Sequence, residues 1–165
     1  GSTISPTFNS FTFLGILREG FEGDVTGWRT GNRGGGASWG ITDYDANSGS
    51  ESAYVDLNFN PYTDSYIIKT LSTPQNGTIT VEYYFRVSCS NNQVNSIFGF
   101  YAAGNNSSTS SQIYRRSGAS TSDWQKVKST INLNAFATPI DIFWEAEMQS
   151  GSGECRFYLD DILVY

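Results

Sequence analysis

Apolar and polar residues alternate with a period of two along much of this chain, and this pattern constrains its fold most strongly. The clearest case is the stretch from Thr78 to Cys89. Its apolar side consists of Ile79, Val81, Tyr83, Phe85 and Val87. Because side chains alternate between the two faces of a β-strand, the pattern predicts a strand with one buried face. No stretch longer than about ten residues shows a helical period.

Similar stretches occur along the whole chain. They cover residues 11–17, 37–42, 52–59, 66–71, 96–102, 112–116, 123–133, 140–148 and 154–165. Turn residues separate them, for example Pro74 to Gly77 and Gly151 to Gly153. About nine or ten short strands predict an all-β fold, a two-sheet antiparallel β-sandwich with a jelly roll as the expected arrangement.

The last stretch, Glu154 to Tyr165, places two adjacent acids among large apolar residues. Uninterrupted alternation puts Asp160 on one face and Asp161 on the other. The first face also carries Tyr158, Ile162 and Val164, and the second carries Phe157, Leu159 and Leu163. A carboxylate on the core face must be hydrogen-bonded, protonated or bound to a metal. The alternative is one Asp facing solvent and the other at the end of the strand.

Charge and length exclude several classes of partner. The chain has 165 residues, a net charge of −6 and no cluster of Lys or Arg. Nucleic acids and anionic membranes both require a basic surface, so neither is an expected partner. No apolar run has the length of a membrane span.

We expect Gly1 and Ser2 to be an expression scar, residues 1–10 to be scar and linker, and residues 11–165 to form one domain of a mature, soluble and monomeric protein.

The chain contains no histidine. This excludes Ser-His-Asp and Cys-His catalysis, and it removes the commonest ligand of zinc and copper. Any metal site would have to be built from oxygen atoms, which favours calcium.

Two cysteines, Cys89 and Cys155, allow one disulfide, and two free buried thiols are the alternative. Three sequons for N-glycosylation accompany them, at Asn76, Asn105 and Asn106. Together with the Ser- and Asn-rich composition, they favour a secreted protein in which Cys89 and Cys155 are bonded.

Four motifs occur in order along the chain: Phe21-Glu22 with Gly27-Trp28, the turn Ser48-Gly49-Ser50, the stretch Trp124 to Thr130, and the terminal Phe157 to Ile162. In this order the chain resembles the CenC-type carbohydrate-binding modules, the group of families 4, 9, 16 and 22, over residues 20–165. Cys155, which precedes the terminal motif, and the sequons resemble the secreted fungal branch of that group.

The resemblance implies a β-jelly roll that binds a polysaccharide or a surface glycan without cleaving it. It also implies a structural calcium ion. The expected ligands are Glu22, backbone oxygens of Gly49 and Ser50, and Asp160, with Asp24 as an additional ligand. A hydrogen-bonded Asp160 without metal is the alternative.

Sugar rings offer apolar faces and hydroxyl groups, so their sites combine exposed aromatic rings with polar groups. The outward positions of neighbouring strands are therefore the first candidates. They are Glu82, Tyr84, Arg86, Tyr101, Gln112, Tyr114, Glu145 and Glu147. Loop aromatics form a second candidate site, namely Trp39, Tyr44, Tyr62 and Tyr66, while Trp28, Trp124 and Trp144 are expected in the core.

Two other classes of function compete with glycan binding. Glu145 and Glu147 lie two residues apart on one predicted strand, roughly 7 Å along it, which is near the spacing used by glycosidases. Jelly-roll glucanases place a third acid in the same strand, however, and residues 148–153, which follow this pair, contain no acid. We therefore expect no enzyme. The second alternative is a surface adhesion or structural domain that displays its loops without glycan specificity.

Overall fold

The structure is a computed structural model, and it describes residues 15–34, 37–58, 63–72, 77–104 and 107–165. Residues 1–10, expected to be scar and linker, and the start of the predicted first strand lie outside these ranges. The described residues form the following strands, with a short 3-10 helix at Leu133–Ala135: β1 Leu17–Glu19, β2 Arg29–Arg33, β3 Gly40–Thr42, β4 Ser52–Asn58, β5 Asp64–Leu71, β6 Thr78–Cys89, β7 Asn95–Gly104, β8 Ser111–Gly118, β9 Gln125–Asn132, β10 Ile140–Ser150 and β11 Glu154–Val164.

The strands form two sheets, and every pair of neighbours is antiparallel. Sheet A has the order β3-β4-β11-β6-β9, and β1 also pairs with β11. Sheet B has the order β2-β5-β10-β7-β8. Among the described strands, β3 and β4 pair with each other, as do β7 and β8. Every other strand lies in the sheet opposite to that of the strand before it, as in a jelly roll. The predicted all-β, two-sheet antiparallel sandwich is confirmed.

Aromatic rings from both sheets meet in the core. Phe85 of β6 stacks on Phe98 of β7, with ring centroids 4.5 Å apart, and Phe100 stacks on Trp144 of β10 at 4.7 Å. Trp28 and Trp144 are buried, as expected. The expectation for Trp124 is wrong, because it is only half-buried and packs against Tyr158 on the outer side of sheet A.

Strand β11 does not alternate without interruption, so the prediction for its two faces is wrong. Its pairing with β6 shifts register between Asp160 and Leu163. Asp161 adopts a φ of 49°, a left-handed conformation that is rare for a residue other than glycine. Such a bulge transfers the following side chains to the other face. As a result, the core receives Phe157 and Leu159 before the bulge, and Ile162 and Val164 after it.

Cys89 and Cys155 form a disulfide, which confirms the predicted pairing. The two residues lie opposite each other on β6 and β11, at one end of the ladder between these strands. The bond therefore links two central strands of sheet A that are 66 residues apart in sequence.

Within the described ranges, no helix is long and apolar enough to cross a membrane.

Candidate functional site

The outer face of sheet B carries a half-open cavity of about 510 Å³. Strands β2, β5, β10 and β7 supply most of its lining, and the segment before β8 supplies the rest. The lining residues are Arg33, Tyr66, Ile68, Tyr101, Ser110, Phe143 and Glu145. Three aromatic rings, one aliphatic side chain, a hydroxyl and two charged groups thus face the same space. We call this cavity the sheet B cleft.

Two glycines allow tyrosine rings to lie flat along the sheet in this cleft. A Cβ atom added to Gly31 would lie 2.4 Å from the Tyr66 ring, and one added to Gly99 would lie 2.5 Å from the Tyr101 ring. Real Cβ atoms do not approach other atoms so closely, so each ring occupies the space that a side chain would fill. The two rings therefore cover β2 and β7, and both side chains are only partly buried.

Glu145 lies between these two rings. In the antiparallel register, it is opposite Tyr66 on one side and opposite Gly99, which the Tyr101 ring covers, on the other. The positions of Gly31 on β2 and Gly99 on β7 are separated by three strand spacings, roughly 14 Å. This distance exceeds the width of one sugar ring, so the arrangement suits an oligomeric ligand that crosses the strands.

Phe143 extends the aromatic surface next to Glu145. Its ring stacks on Tyr101, with ring centroids 5.1 Å apart and planes inclined by 13°. The two residues are directly paired across β10 and β7, so the stack is a cross-strand contact. It holds the Tyr101 ring in place, because a ring packed on both a neighbouring ring and bare backbone has few other positions.

The carboxyl group of Glu145 has an unusual environment. Its side chain is 15% exposed and lies 3.8 Å from the Arg33 guanidinium. Two nitrogen atoms of this guanidinium also donate hydrogen bonds to the carboxylate of buried Asp64. Burial, and then the negative charges of Asp64 and Glu147, raise the pKa of Glu145 to about 7, while Arg33 opposes this rise. The group therefore changes its charge near neutral pH.

Burial, followed by the charge of Glu145, also raises the pKa of the Tyr101 hydroxyl. The hydroxyl stays protonated and can donate a hydrogen bond as well as accept one. With Glu145 as an acceptor beside it, the cleft offers the polar groups that recognise hydroxyl-rich ligands between flat apolar surfaces.

Four of the predicted ligand residues share this face of sheet B. Tyr101 and Glu145 line the cleft, Gln112 pairs with Tyr101 across β7 and β8, and Glu147 pairs with Asp64 across β10 and β5. Tyr66, which the sequence placed in the second candidate group, lies in the same cleft.

The other predicted outward positions do not join this cleft. Glu82, Tyr84 and Arg86 lie on the outer face of sheet A. Lys126 of β9 forms a 3.0 Å ion pair with Glu82 and lies 5.8 Å above the Tyr84 ring. Arg86 forms an ion pair with Asp45. These ion pairs engage the charged groups only in part, because the buried Arg86 Nε has no hydrogen-bond partner among the described residues. Lys126 lies over the Tyr84 ring, and Glu82 and Tyr84 line a separate cavity of about 530 Å³.

The expectation that Tyr114 faces outward is wrong. Its ring lies 5.8 Å from Phe85 and 6.5 Å from Tyr83, and it packs against the hydrophobic core. The cause is a bulge in β8: Tyr114 pairs with Phe100, but the next pair joins Tyr101 to Gln112. Strand alternation alone does not reveal such a bulge.

The second candidate group, the loop aromatics, does not form one site. Trp39 is buried and donates its indole N–H to the Ser65 carbonyl. Tyr44 is 66% exposed and carries the Arg156 guanidinium 4.8 Å above its ring. Tyr62 lies outside the described residues.

The sequence analysis missed Phe143, Arg33, Ile68 and Ser110 as lining residues of the cleft. For Phe143 a signal exists, since a large aromatic residue stands on the otherwise acidic side of the alternating strand 140–148. An exposed aromatic ring in such a row indicates a contact surface. Arg33 and Ser110 belong to the cleft only through strand pairing, which local sequence does not show.

The expected calcium ligands gather around one loop, residues 45–51. Glu22 accepts hydrogen bonds from the backbone N–H groups of Ser50 and Glu51 and from the Ser50 hydroxyl. Gly49 passes so close to Glu22 that an added Cβ would lie 1.9 Å from its carboxylate, which explains the glycine. The loop thus offers N–H groups to Glu22, whereas the resemblance implied backbone oxygens.

Asp160 joins the same loop from the opposite side. Its carboxylate accepts the N–H groups of Asn47, Ser48 and Asp161, and the residue is fully buried beneath the loop. Burial and the charge of Asp161 raise the pKa of Asp160 to about 6, while the three N–H groups oppose this rise. Asp161 accepts hydrogen bonds from the side chains of Asn47 and Ser48.

These carboxylates fit a calcium site only in part. The donor atoms are all oxygens, as calcium requires, and a nearby cation would offset the burial and the Asp161 charge that raise the pKa of Asp160. Asp24, however, accepts a hydrogen bond from Thr26 in its own turn. Among the described residues, no three Asp, Glu, Cys or His side chains converge closely enough to hold a metal ion.

No protein-family profile and no curated protein match the sequence. Solved structures do share the fold. TmCBM61, solved with β-1,4-galactotriose, is 14% identical with a TM-score of 0.62, and the match covers 92% of this chain and 97% of that one. The C-terminal family 22 carbohydrate-binding module of Clostridium thermocellum Xyn10B is 17% identical with a TM-score of 0.64, covering 91% of each chain.

The K1 cleaved adhesin domain of Lys-gingipain from Porphyromonas gingivalis is also similar. It is 16% identical with a TM-score of 0.62, and the match covers 90% of this chain and 96% of that one. Identities this low establish a shared fold, and the fold is used by carbohydrate-binding modules and by an adhesin domain alike.

Proposed function

We propose that this protein is a carbohydrate-binding module that holds a linear oligosaccharide in the sheet B cleft without cleaving it. The observation that carries the proposal is the pair of tyrosine rings, Tyr66 and Tyr101, which lie flat over Gly31 and Gly99 on either side of Glu145. Sugar rings pack on such flat aromatic faces, and a polar group between two rings can bind their hydroxyls.

Two features of the acids support binding over hydrolysis. The Glu147 carboxylate accepts a hydrogen bond of 2.6 Å from the Gln149 side chain, and Glu145 shares Arg33 with Asp64. Both groups therefore serve in contacts within the sheet. The solved modules named above share the fold, and their ligands include β-1,4-galactotriose.

Isothermal titration with xylotetraose, β-1,4-galactotetraose and cellotetraose tests the proposal, together with affinity electrophoresis in the parent polysaccharides. At least one glycan should bind, and the double variant Tyr66→Ala/Tyr101→Ala should abolish that binding. Tyr44→Ala removes an exposed tyrosine outside the cleft and should bind like the unmodified protein. Binding that survives the double variant, or the failure of every glycan to bind, would refute the proposal.

We further propose that the loop at residues 45–51 binds a structural calcium ion. Support comes from buried Asp160, whose pKa burial and Asp161 raise, and from Glu22, which contacts the same loop. Asp161 and Ser48 would supply additional oxygen ligands. Calcium would neutralise Asp160 and tie the end of β11 to this loop.

The proposal extends to secretion and to membership of the CenC-type group, in its fungal branch. The disulfide between Cys89 and Cys155 supports an oxidising compartment, and the motif order supports the group. The second candidate function is adhesion or display without glycan specificity. The similarity to the gingipain adhesin domain favours it, and the glycan titrations distinguish the two.

A further inference from the structure

The charged groups of sheet B are distributed unevenly across its outer face. Arg33 pairs with Asp64, and Arg29 forms a 3.1 Å ion pair with Asp141, so both arginines of β2 are engaged by acids of β5 and β10. Their positive charges lie at the β2 side of the face, and Arg115 of β8, which pairs with Gly99, adds a positive charge at the opposite side. The centre of the cleft, between the Tyr66 and Tyr101 rings, carries Glu145.

Each element packed around Glu145 presents a titratable or charged group. Strand β5 presents Asp64 and the Tyr66 hydroxyl, and β10 itself presents Glu147; Asp64 and Glu147 raise the pKa of Glu145 by repulsion. Strand β2 presents Arg33, which acts in the opposite direction but is shared with Asp64. Strand β7 presents the neutral Tyr101 hydroxyl, and β8 presents Arg115, which acts on Tyr101.

A ligand that lies across both tyrosine rings must pass over Glu145. A neutral sugar can donate a hydroxyl hydrogen bond to its carboxylate. A uronic acid would bring a second negative charge close to Glu145 and Glu147, in a partly desolvated cleft whose nearest guanidinium already binds Asp64. Water and salt screen the repulsion between two negative charges less inside this cleft than on the open surface of the protein.

We propose that the cleft selects neutral glycan chains and rejects chains bearing uronic acids, and that Glu145 is the residue that determines this specificity. The inference rests on the proposed function and names the chemical class of its ligand. Selection arises from repulsion of the wrong ligand as well as from contacts with the right one. It follows that the selection weakens at acidic pH, where Glu145 is protonated, and strengthens as the pH rises through neutrality.

Matched pairs of oligosaccharides test this inference by isothermal titration. Each neutral tetrasaccharide (xylotetraose, β-1,4-galactotetraose and cellotetraose) is compared with a counterpart that carries one uronic acid, at about pH 5.5 and about pH 8. The readout is the Kd for the uronate divided by the Kd for its neutral counterpart, so a general loss of affinity in a variant cancels. We expect roughly tenfold weaker binding of the uronate at the higher pH, and a clearly smaller ratio at the lower pH.

Glu145→Gln should make the ratio small and independent of pH. Glu154→Gln, which removes an acid at the start of β11 in sheet A, is the matched control and should keep the full effect. Equal binding of both members of a pair at pH 8, preferential binding of the uronate, or an unchanged ratio in Glu145→Gln would overturn the inference while leaving the glycan-binding function intact. If no member of any pair binds, the proposed function itself fails.

Discussion

The Tyr101 ring stacks on the Phe143 ring across β7 and β10, with ring centroids 5.1 Å apart and planes inclined by 13°. The same Tyr101 ring covers Gly99, so it is fixed from two directions on the outer face of sheet B. Rings fixed in this way are preorganised for a ligand, because little side-chain entropy is lost on binding. This relationship gives the cleft its rigid aromatic surface.

Replacing Tyr101 with alanine should weaken binding of a neutral tetrasaccharide about tenfold, or ~1.4 kcal/mol, because one stacking surface and one hydroxyl are lost. Tyr101→Phe keeps the ring and should lose less. Titration calorimetry measures both. Equal affinities for Tyr101→Ala and the unmodified protein would show that the ring does not contact the ligand.

Gly99→Ala should weaken glycan binding without removing any group that contacts the ligand. The new Cβ would lie 2.5 Å from the present position of the Tyr101 ring, so the ring must leave its position over residue 99. Gly40→Ala is the matched control, since a Cβ there meets nothing within 4 Å. Affinity measured by calorimetry, with thermal melts to check folding, should separate the two variants, and identical affinities would contradict the proposed role of the ring position.

The pKa of Glu145 predicts a dependence of stability on pH. The folded pKa is about 7, above the ordinary value of 4.5, so the folded protein holds a proton that the unfolded chain has released between these values. Glu145 therefore lowers stability progressively as the pH rises from about 4.5 to about 7.

Glu145→Gln removes this contribution. The melting temperature of the variant, relative to that of the unmodified protein, should increase between about pH 5 and about pH 8. Asp160 also has a raised pKa and contributes a slope of the same sign, but it is present in both proteins and cancels in the difference. A constant difference over this range would mean that Glu145 titrates at its ordinary pKa.

The disulfide predicts a large stability difference on reduction. It joins residues 66 apart, and closing a loop of that length in the unfolded chain stabilises the fold by about 4 kcal/mol in the chain-entropy model. The double variant Cys89→Ala/Cys155→Ala should therefore unfold at a lower urea concentration. Dithiothreitol should reduce the stability of the unmodified protein and leave that of the variant unchanged; an effect of similar size on both would assign the loss to another cause.

Calcium should raise the melting temperature if the loop at residues 45–51 holds the ion, since a ligand that binds only the folded state stabilises it. Asp160→Asn should abolish the increase. Asp24→Asn serves as the control, because Asp24 is engaged in its own turn with Thr26. Calcium should still raise the melting temperature of this variant. Identical melts in excess EDTA and in millimolar calcium would contradict the proposed site.

The sequence predicted the class of fold well because alternation is a local signal. Strands such as β6 and β10 have apolar residues at every second position over their whole length, and their buried faces are those expected. Within the strands, residues were assigned to the wrong face where a bulge shifts the alternation. At Asp160 and Asp161 in β11, and before Tyr114 in β8, one additional residue moves the following side chains to the other face of the sheet. The contacts that favour each bulge come from other strands, so local sequence does not show them.

The candidate site was predicted only in part for a related reason. Tyr101 and Glu145 face outward by alternation, but so do Tyr84 and Arg86, and only strand pairing places the first two on sheet B and the others on sheet A. The position of Tyr66 over Gly31 depends on the pairing of β2 with β5. Such a pairing joins residues distant in sequence, and no local pattern records it.

A titration of the isotopically labelled protein with a neutral tetrasaccharide, followed by amide chemical shifts, tests the location of the site most directly. We predict that the shift changes cluster on β5, β7 and β10, around Tyr66, Tyr101 and Glu145, and that the outer face of sheet A is unaffected. Changes centred instead on β6, β9 and β11, around Tyr84 and Lys126, would contradict this prediction.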